Sequence, residues 1–314
     1  MYKPVVSSIT PAYSFMKLER KRDLENKDFA VIGVPFDMAA TNRTGQRYGP
    51  QHIRNFSGML RPYNPDQQIK IFDYCSGVDY GDVEVIPGNI HKTYQNIEKE
   101  LNLIFEKKIT PIMMGGDHSI TLAHLRAAVK QYGPVALVHF DSHCDTWDEL
   151  FGEKYSHATP FRRAVEEGLI DVNHSIQIGM RGSLFEPEDV AGAMDLGFKV
   201  WTMREVRNAG FESVIKSIHE RAGNRPVFVS YDIDFLDPSY APGTGTPEIG
   251  GPTSFEGLEF VRELDGLNIV GFDLVEVLPA YDSGDITAAA AANIIYEMIT
   301  LVALRKKKRP DFKI

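Results

Sequence analysis

Asp141-Ser142-His143-Cys144-Asp145 places three metal-ligand side chains at alternate positions, directly after the apolar run Pro134-Val135-Ala136-Leu137-Val138-His139-Phe140. If the backbone stays extended past Phe140, period-two alternation turns Asp141, His143 and Asp145 to one side, and Ser142 and Cys144 to the other. Asp232 and Asp234 stand in the same relation after Val227-Phe228-Val229-Ser230-Tyr231, and His118 ends Gly115-Gly116-Asp117-His118 after Thr110-Pro111-Ile112-Met113-Met114. Each cluster follows the C-terminal end of a predicted strand, where open parallel α/β sheets place their ligands. Six candidate metal ligands therefore converge: His118, Asp141, His143, Asp145, Asp232 and Asp234. Carboxylates outnumber imidazoles and no ligand is a thiolate, which suits Mn²⁺ better than structural zinc or an iron–sulfur cluster; Ni²⁺ or another divalent ion is also compatible. Four carboxylates carry too much charge for one cation and suit two Mn²⁺ per subunit. Two such cations deprotonate a shared water near neutral pH, giving a nucleophile without a Ser or Cys.

The elements that must position these residues alternate along the chain. Phe29-Ala30-Val31-Ile32-Gly33-Val34-Pro35 reads as an opening buried strand, with later strands at Ser175-Ile178, Lys199-Trp201 and Ile269-Leu274. Helices are expected at Ile90-Glu106, Leu122-Tyr132 (capped by Ser119 or Thr121 and stopped by Gly133-Pro134), Pro187-Leu196, Phe211-Arg221, Ser254-Leu264 and Thr287-Leu304. Ile71 to Pro87 shows no period and reads as irregular. Strand and helix alternate without a composition break or a repeat, so the expectation is one three-layer α/β/α sandwich over 29–314 with a mainly parallel sheet, preceded by an arm over 1–28. That arm would lie over the surface or against a neighbouring subunit.

Gly115-Gly116-Asp117-His118-Ser119, Asp-x-His-x-Asp at 141–145 and Asp-x-Asp-x-x-Asp-Pro at 232–238, followed by Ala241-Pro242-Gly243-Thr244-Gly245-Thr246-Pro247, resemble the signatures of the ureohydrolase family of arginases and agmatinases. The resemblance spans most of the chain and implies the arginase/deacetylase-like fold. It implies that His118, Asp141, Asp145 and Asp232 hold one metal and Asp141, His143, Asp232 and Asp234 the other. Asp145 would also orient the attacking hydroxide, His157 would shuttle a proton to the leaving amine, and Glu276 would grip the substrate guanidinium. A resonance-stabilised, cationic guanidinium is a poor electrophile and needs so strong a nucleophile. Attack would release urea and an amine, and the family often forms trimers or hexamers. The sequence departs from the pattern at Ser142, where Ala is usual, and at Ala158, where Gly is usual. Ser142 should be harmless on the far face, whereas the Ala158 methyl could reshape the pocket beside His157.

The loop after Asp145 resembles that of agmatinases, guanidinobutyrases and proclavaminate amidinohydrolase rather than the amino-acid-reading loop of arginase. Its acids Asp148, Glu149 and Glu153 could attract the second amine of agmatine, whereas Lys154, Arg162 or Arg163 could meet a carboxylate such as that of 4-guanidinobutanoate. The balance favours agmatine, cleaved to putrescine and urea; the alternative is a guanidinobutyrase or another non-arginine guanidino-acid hydrolase. More remote are a formimino or acetamide C–N hydrolase and a non-catalytic metal-stabilised subunit.

Composition narrows the remaining classes. A net charge of −9 disfavours nucleic acid as a partner. Two cysteines cannot make a secreted disulfide framework, and neither an apolar leader nor a membrane-length apolar run is apparent, so a cytoplasmic enzyme without membrane contact is expected. A Gly-Lys-Ser/Thr ending is missing from the glycine-bearing loop Thr41–Pro50, which argues against a phosphate loop. No organic cofactor is implied. The basic end, 305–309, reads as a solvated tail. Asp117 is expected to support the metal shell, Asp237 to fix a turn, and Cys144 to be a small buried filler. His52, His91, His124, His139, His174 and His219 are read as structural.

Overall fold

The computed structural model describes residues 13–308. Ten strands and nine α-helices are found there. The strands are β1 Phe29–Val34, β2 Tyr63–Asn64, β3 Ile69–Lys70, β4 Gly77–Asp82, β5 Thr110–Gly115, β6 Ala136–Phe140, β7 Ile176–Met180, β8 Lys199–Thr202, β9 Val227–Asp232 and β10 Ile269–Val275. The helices are α1 Gly49–Ser57, α2 Ile90–Glu106, α3 Thr121–Tyr132, α4 Pro160–Glu166, α5 Glu188–Asp195, α6 Met203–Ala209, α7 Phe211–Ala222, α8 Ser254–Arg262 and α9 Ile286–Lys308. Apart from the β2–β3 hairpin, the strands form one eight-stranded sheet in the order β4-β1-β5-β10-β9-β6-β7-β8. Every pairing in that sheet is parallel.

Parallel strands are covered on both faces and so read as continuous apolar runs, as β1, β5 and β9 do. Alternation then sorts them into two apolar layers. Phe29, Val31, Ile112 and Val138 face one layer, with α1, α7, α8 and α9; Ala30, Ile32, Met113 and Leu137 face the other, with α2, α3 and α4. This is the expected three-layer sandwich. Turn chemistry sets its element boundaries. Asn89 caps α2 through Lys92 N, Thr202 and Thr253 form capping boxes at α6 and α8, and Gly133 ends α3 at φ +70°.

Three expectations need correction. The stretch read as irregular contains β4, whose apolar pattern is broken by Asp79, wholly buried because Arg54 satisfies both of its carboxylate oxygens. Neither Ser119 nor Thr121 caps α3; Asp117 caps the preceding 3₁₀ turn His118–Ile120 instead, and Thr121 Oγ1 is committed to Asp273 Oδ2. The basic end is no solvated tail over 305–308, which form the last turn of α9. Arg305 donates to Ile269 O, while Lys306 and Lys308 pair with Asp28 and Asp265. Cations at a helix C-terminus oppose its dipole favourably. Arg309 lies outside the described residues.

α9 is long and apolar enough by composition to cross a membrane, a length the sequence reading did not assign, but its apolar surface is buried between α1, α8 and the sheet. Within the N-terminal arm, residues 1–12 lie outside the described region. Phe15, Met16 and Leu18 are buried, with Phe15 N donating to Asp79 Oδ2 and Met16 N to Ser57 Oγ.

Candidate metal centre

The three ligand clusters meet at the C-terminal rim of the sheet. β5 carries His118, β6 carries Asp141, His143 and Asp145, and β9 carries Asp232 and Asp234; β10, between β5 and β9, carries Glu276. His118 Nδ1 lies 2.9 Å from Asp145 Oδ2, 3.2 Å from Asp141 Oδ2 and 3.2 Å from Asp232 Oδ2. His143 Nδ1 lies 3.2 Å from Asp234 Oδ2 and 3.4 Å from Asp141 Oδ1. All six expected ligands are thus brought together, and Asp141 reaches both imidazoles.

The route to this arrangement differs from the alternation first expected. β6 ends at Phe140, the chain bends at Ser142 and His143, and Asp145 sits at φ +52°. Ser142 does not point away: its Oγ donates to Asp234 Oδ1 at 2.7 Å, and its backbone N donates to the same atom. Cys144 is buried among apolar side chains, and burial pushes its thiol pKa up, so it is not a thiolate.

The tautomers of two histidines follow from their outer contacts. Ser230 Oγ donates to Asp273 Oδ1 at 2.6 Å and therefore accepts from His118 Nε2 at 2.9 Å. In the neutral ring that a metal requires, His118 Nδ1 then carries the lone pair, and it has no hydrogen-bond partner among the described residues. A buried lone pair facing three carboxylate oxygens is strongly repulsive unless positive charge sits between them. Ligand bonds of about 2.1 Å at right angles would set such atoms roughly 3 Å apart, close to the spacing found. The donor set therefore fits a divalent cation. At His139, Gln177 Nε2 donates to Nδ1, so Nε2–H donates to Asp141 Oδ2 at 2.8 Å. His139 orients a ligand, a role consistent with its reading as structural.

Taken among themselves, these groups show the same demand for positive charge. Burial disfavours a charged His118, yet Asp141, Asp145 and Asp232 hold its imidazole well above the usual value. Burial and the neighbouring acids Asp234 and Asp141 drive Asp232 well above the carboxylate range, and burial with Asp141 raises Asp234. Burial also lowers His157. Glu276, at φ +66°, is pushed up to about 8 by burial and by Asp117. Its Oε1 accepts from His118 N at 2.8 Å and lies 3.7 Å from His157 Nδ1. His157 Nε2 is 2.8 Å from Thr41 Oγ1.

A cavity of about 480 Å³ opens over this rim, reaching His143, Asp145, His157 and Asp232. Trp147, Phe151 and Phe185 form its apolar outer wall, and the Ala158 methyl faces it. None of the charged residues nominated from the sequence to read the substrate's far end lines this cavity. Asp148 is taken by Arg163 at 2.5 Å, and Arg162 pairs with Glu166. Asp189, Glu248, Arg43 and Arg181 line it instead, the Arg181 guanidinium being spent on the carbonyls of Gly179, Asp234, Leu236 and Glu248. Asp189 and Glu248 pair with no cation among the described residues, and the Arg43 guanidinium stacks over Tyr281. Asp117 does not touch the ligands. It holds Ala39 N and Ser119 N, fixing the turn that presents His118. Asp237 fixes its turn through Ser239, Gly250 and Gly251 N–H.

Residues 27–300 match the arginase family. Guanidinobutyrase of Pseudomonas aeruginosa is 43% identical, the alignment covering 89% of this chain and 88% of that one. The chain belongs to the arginase family. Mitochondrial agmatinase of Gallus gallus, another arginase-family relative, is also 43% identical, over 92% of this chain and 85% of its own. The solved structure of proclavaminate amidinohydrolase from Streptomyces clavuligerus superposes with a TM-score of 0.90 at 38% identity, covering 95% of this chain and 99% of that one. The fold is thus the arginase fold, and the protein is a hydrolase of that family. The sequence reading missed Ser230, Asp273, Gln177 and Gln46 as parts of the site. Their only sequence signal is a polar residue within or beside an otherwise apolar strand, and Gln46 lacks even that.

Proposed function

We propose that this arginase-family hydrolase cleaves the guanidino group of a small guanidino-alkyl compound to urea and an amine, using two Mn²⁺ per subunit. The observation that supports it is the placement of His118, with its lone pair among three carboxylates, beside Glu276 and His157 on one rim. His118, Asp141, Asp145 and Asp232 would hold one cation, and Asp141, His143, Asp232 and Asp234 the other. Bound there, the cations would supply a water that ionises near neutral pH and would neutralise the crowded carboxylates.

The chain's own groups do the rest. Glu276 accepts guanidinium N–H donors and orients the carbon toward the water. Asp145 accepts a hydrogen bond from that water and sets its approach. His157, neutral at rest because burial lowers its pKa, takes up the proton that the attacking water gives up and passes it to the departing nitrogen as the C–N bond breaks. Thr41 orients its ring. The apolar outer wall takes the methylene chain.

Agmatine is the favoured substrate, giving putrescine and urea, because Asp189 and Glu248 line the cavity with no ion pair among the described residues and attract a second amine. The second reading, 4-guanidinobutanoate, is favoured by Arg43, a cavity-lining cation with no carboxylate partner among the described residues. Residues 29–314 form one catalytic domain and 1–28 an arm, in a cytoplasmic homo-oligomer (a trimer or hexamer) without nucleic-acid or membrane contact. The Mn²⁺-loaded protein is assayed for urea from agmatine, 4-guanidinobutanoate, 3-guanidinopropionate and arginine. Agmatine should give the highest kcat/KM. A higher value for guanidinobutanoate selects the second reading, and no urea from any of them overturns the proposal.

A further inference from the structure

Gln46 opens the 3₁₀ turn Gln46–Tyr48 and is completely buried, although its neighbours Arg47 and Tyr48 are exposed. Asp37 pins the turn, its Oδ2 accepting from Gly45 N at 2.9 Å and Arg47 N at 3.3 Å. From there the Gln46 amide reaches across to β10: Nε2 donates to Glu276 Oε2 at 2.8 Å and to Arg43 O at 3.0 Å. The other oxygen of Glu276 is held by His118 N. Space for the contact exists because position 245 is glycine. A Cβ there would meet Gln46 Nε2 at 2.8 Å and Glu276 Oε2 at 3.3 Å.

The amide's other end is left bare. Gln46 Oε1 is buried without a hydrogen-bond partner among the described residues. An orphaned buried carbonyl is destabilising, so a side chain kept only for packing would be better apolar at this position. The donor end is directed at the one carboxylate poised to receive the guanidinium. Each carboxylate oxygen has a second lone pair, and two parallel N–H bonds from a planar fork require the carboxylate plane to be fixed. A left-handed Glu276 anchored at one oxygen alone could rotate about its terminal bond.

We infer that Gln46 is a positioning residue that fixes the carboxylate plane of Glu276 for the substrate guanidinium. The inference rests on the guanidino-hydrolase reading above. It is tested with Gln46→Met, which keeps the volume and removes the amide, and with Gln46→Glu, which keeps an oxygen-bearing side chain but loses the donor and sets a like charge beside Glu276. Metal content, Tm, kcat and KM are measured for each Mn²⁺-loaded variant on the best guanidino substrate. Gln46→Met should keep wild-type metal content and lose only a few degrees of Tm, since the orphaned Oε1 goes together with the donor to Glu276 and Arg43 O, while kcat/KM falls about 10–100-fold, the scale of a lost charge-assisted hydrogen bond. The fall should be carried mainly by KM, because Glu276 holds the guanidinium in the ground and transition states alike. Gln46→Glu should lose more. Unchanged kcat/KM in both variants overturns the inference, as does a loss that tracks falling metal content. If the wild type releases urea from no guanidino compound, the reading beneath it has failed; if the wild type is active and Gln46→Met matches it, only this inference has.

Discussion

Replacing Ser230 with Ala should weaken metal binding without touching a ligand. Its Oγ bridges His118 Nε2 at 2.9 Å and Asp273 Oδ1 at 2.6 Å in a fully buried layer behind the metal centre. Ser230→Ala strands the imidazole N–H and one oxygen of Asp273. Each unsatisfied buried polar group costs about 1–3 kcal/mol, so the pair amounts to about 2–6 kcal/mol of folding stability. Thr121 still satisfies Asp273 Oδ2 at 2.9 Å, which favours the lower half of that range. The imidazole is also freed from the tautomer that aims its lone pair at the carboxylates. Losing such an outer partner typically weakens metal affinity about 10–100-fold. Mn²⁺ affinity is read by competition with a chelating dye, and the stability of the metal-free protein by urea denaturation. An affinity equal to wild type, whatever the stability, would refute the tautomer argument.

Other substitutions probe other layers. Arg54→Leu leaves Asp79 buried and unpaired and should cost about 3–5 kcal/mol in urea denaturation; a loss under about 1 kcal/mol would contradict the role given to Arg54 in admitting β4 to the sheet. His157→Asn should lower kcat about 10²–10⁴-fold with metal content unchanged, and an undiminished kcat would remove it from proton delivery. At the start of α9, Asp282 accepts from Thr287 N and Ala288 N and lies 3.4 Å from His52 Nε2. The neighbouring carboxylate of Asp282, helped by Asp285 at 3.3 Å, raises His52 against the effect of burial. Burial works to raise Asp282, but His52 and the helix N–H groups outweigh it and hold the carboxyl well below its usual range. A raised His pKa stabilises below about 6.5, and that stability is lost as pH rises through the folded value; a depressed Asp pKa stabilises above about 3.9 and is lost as pH falls through its folded value. His52→Asn should therefore be clearly less stable than wild type near pH 5.5, with the gap closing toward pH 9; a pH-independent gap would refute the ion pair.

The layers and the rim were legible in the sequence because parallel strands are buried on both faces. Val227-Phe228-Val229 and Ile112-Met113-Met114 announce strands, and the charged residues that follow fall at their C-terminal ends. What escaped were features that local pattern does not encode. β4 was hidden because Asp79 is neutralised by Arg54, 25 residues earlier in the chain. Asp145 reaches the cluster through a left-handed turn rather than by alternation, and the same bend turns Ser142 inward. Of the acids nominated on the 146–155 loop, Asp148 is taken by Arg163 and none lines the cavity, whereas Asp189 and Glu248 arrive from distant segments. Ser230 and Gln46 matter through partners 43 and 230 residues away.

Anomalous diffraction at the manganese edge from Mn²⁺-loaded crystals tests most directly whether this rim gathers two cations. Two peaks per subunit are expected, one among His118, Asp141, Asp145 and Asp232 and one among Asp141, His143, Asp232 and Asp234. A single peak, or peaks away from these six side chains, would contradict it.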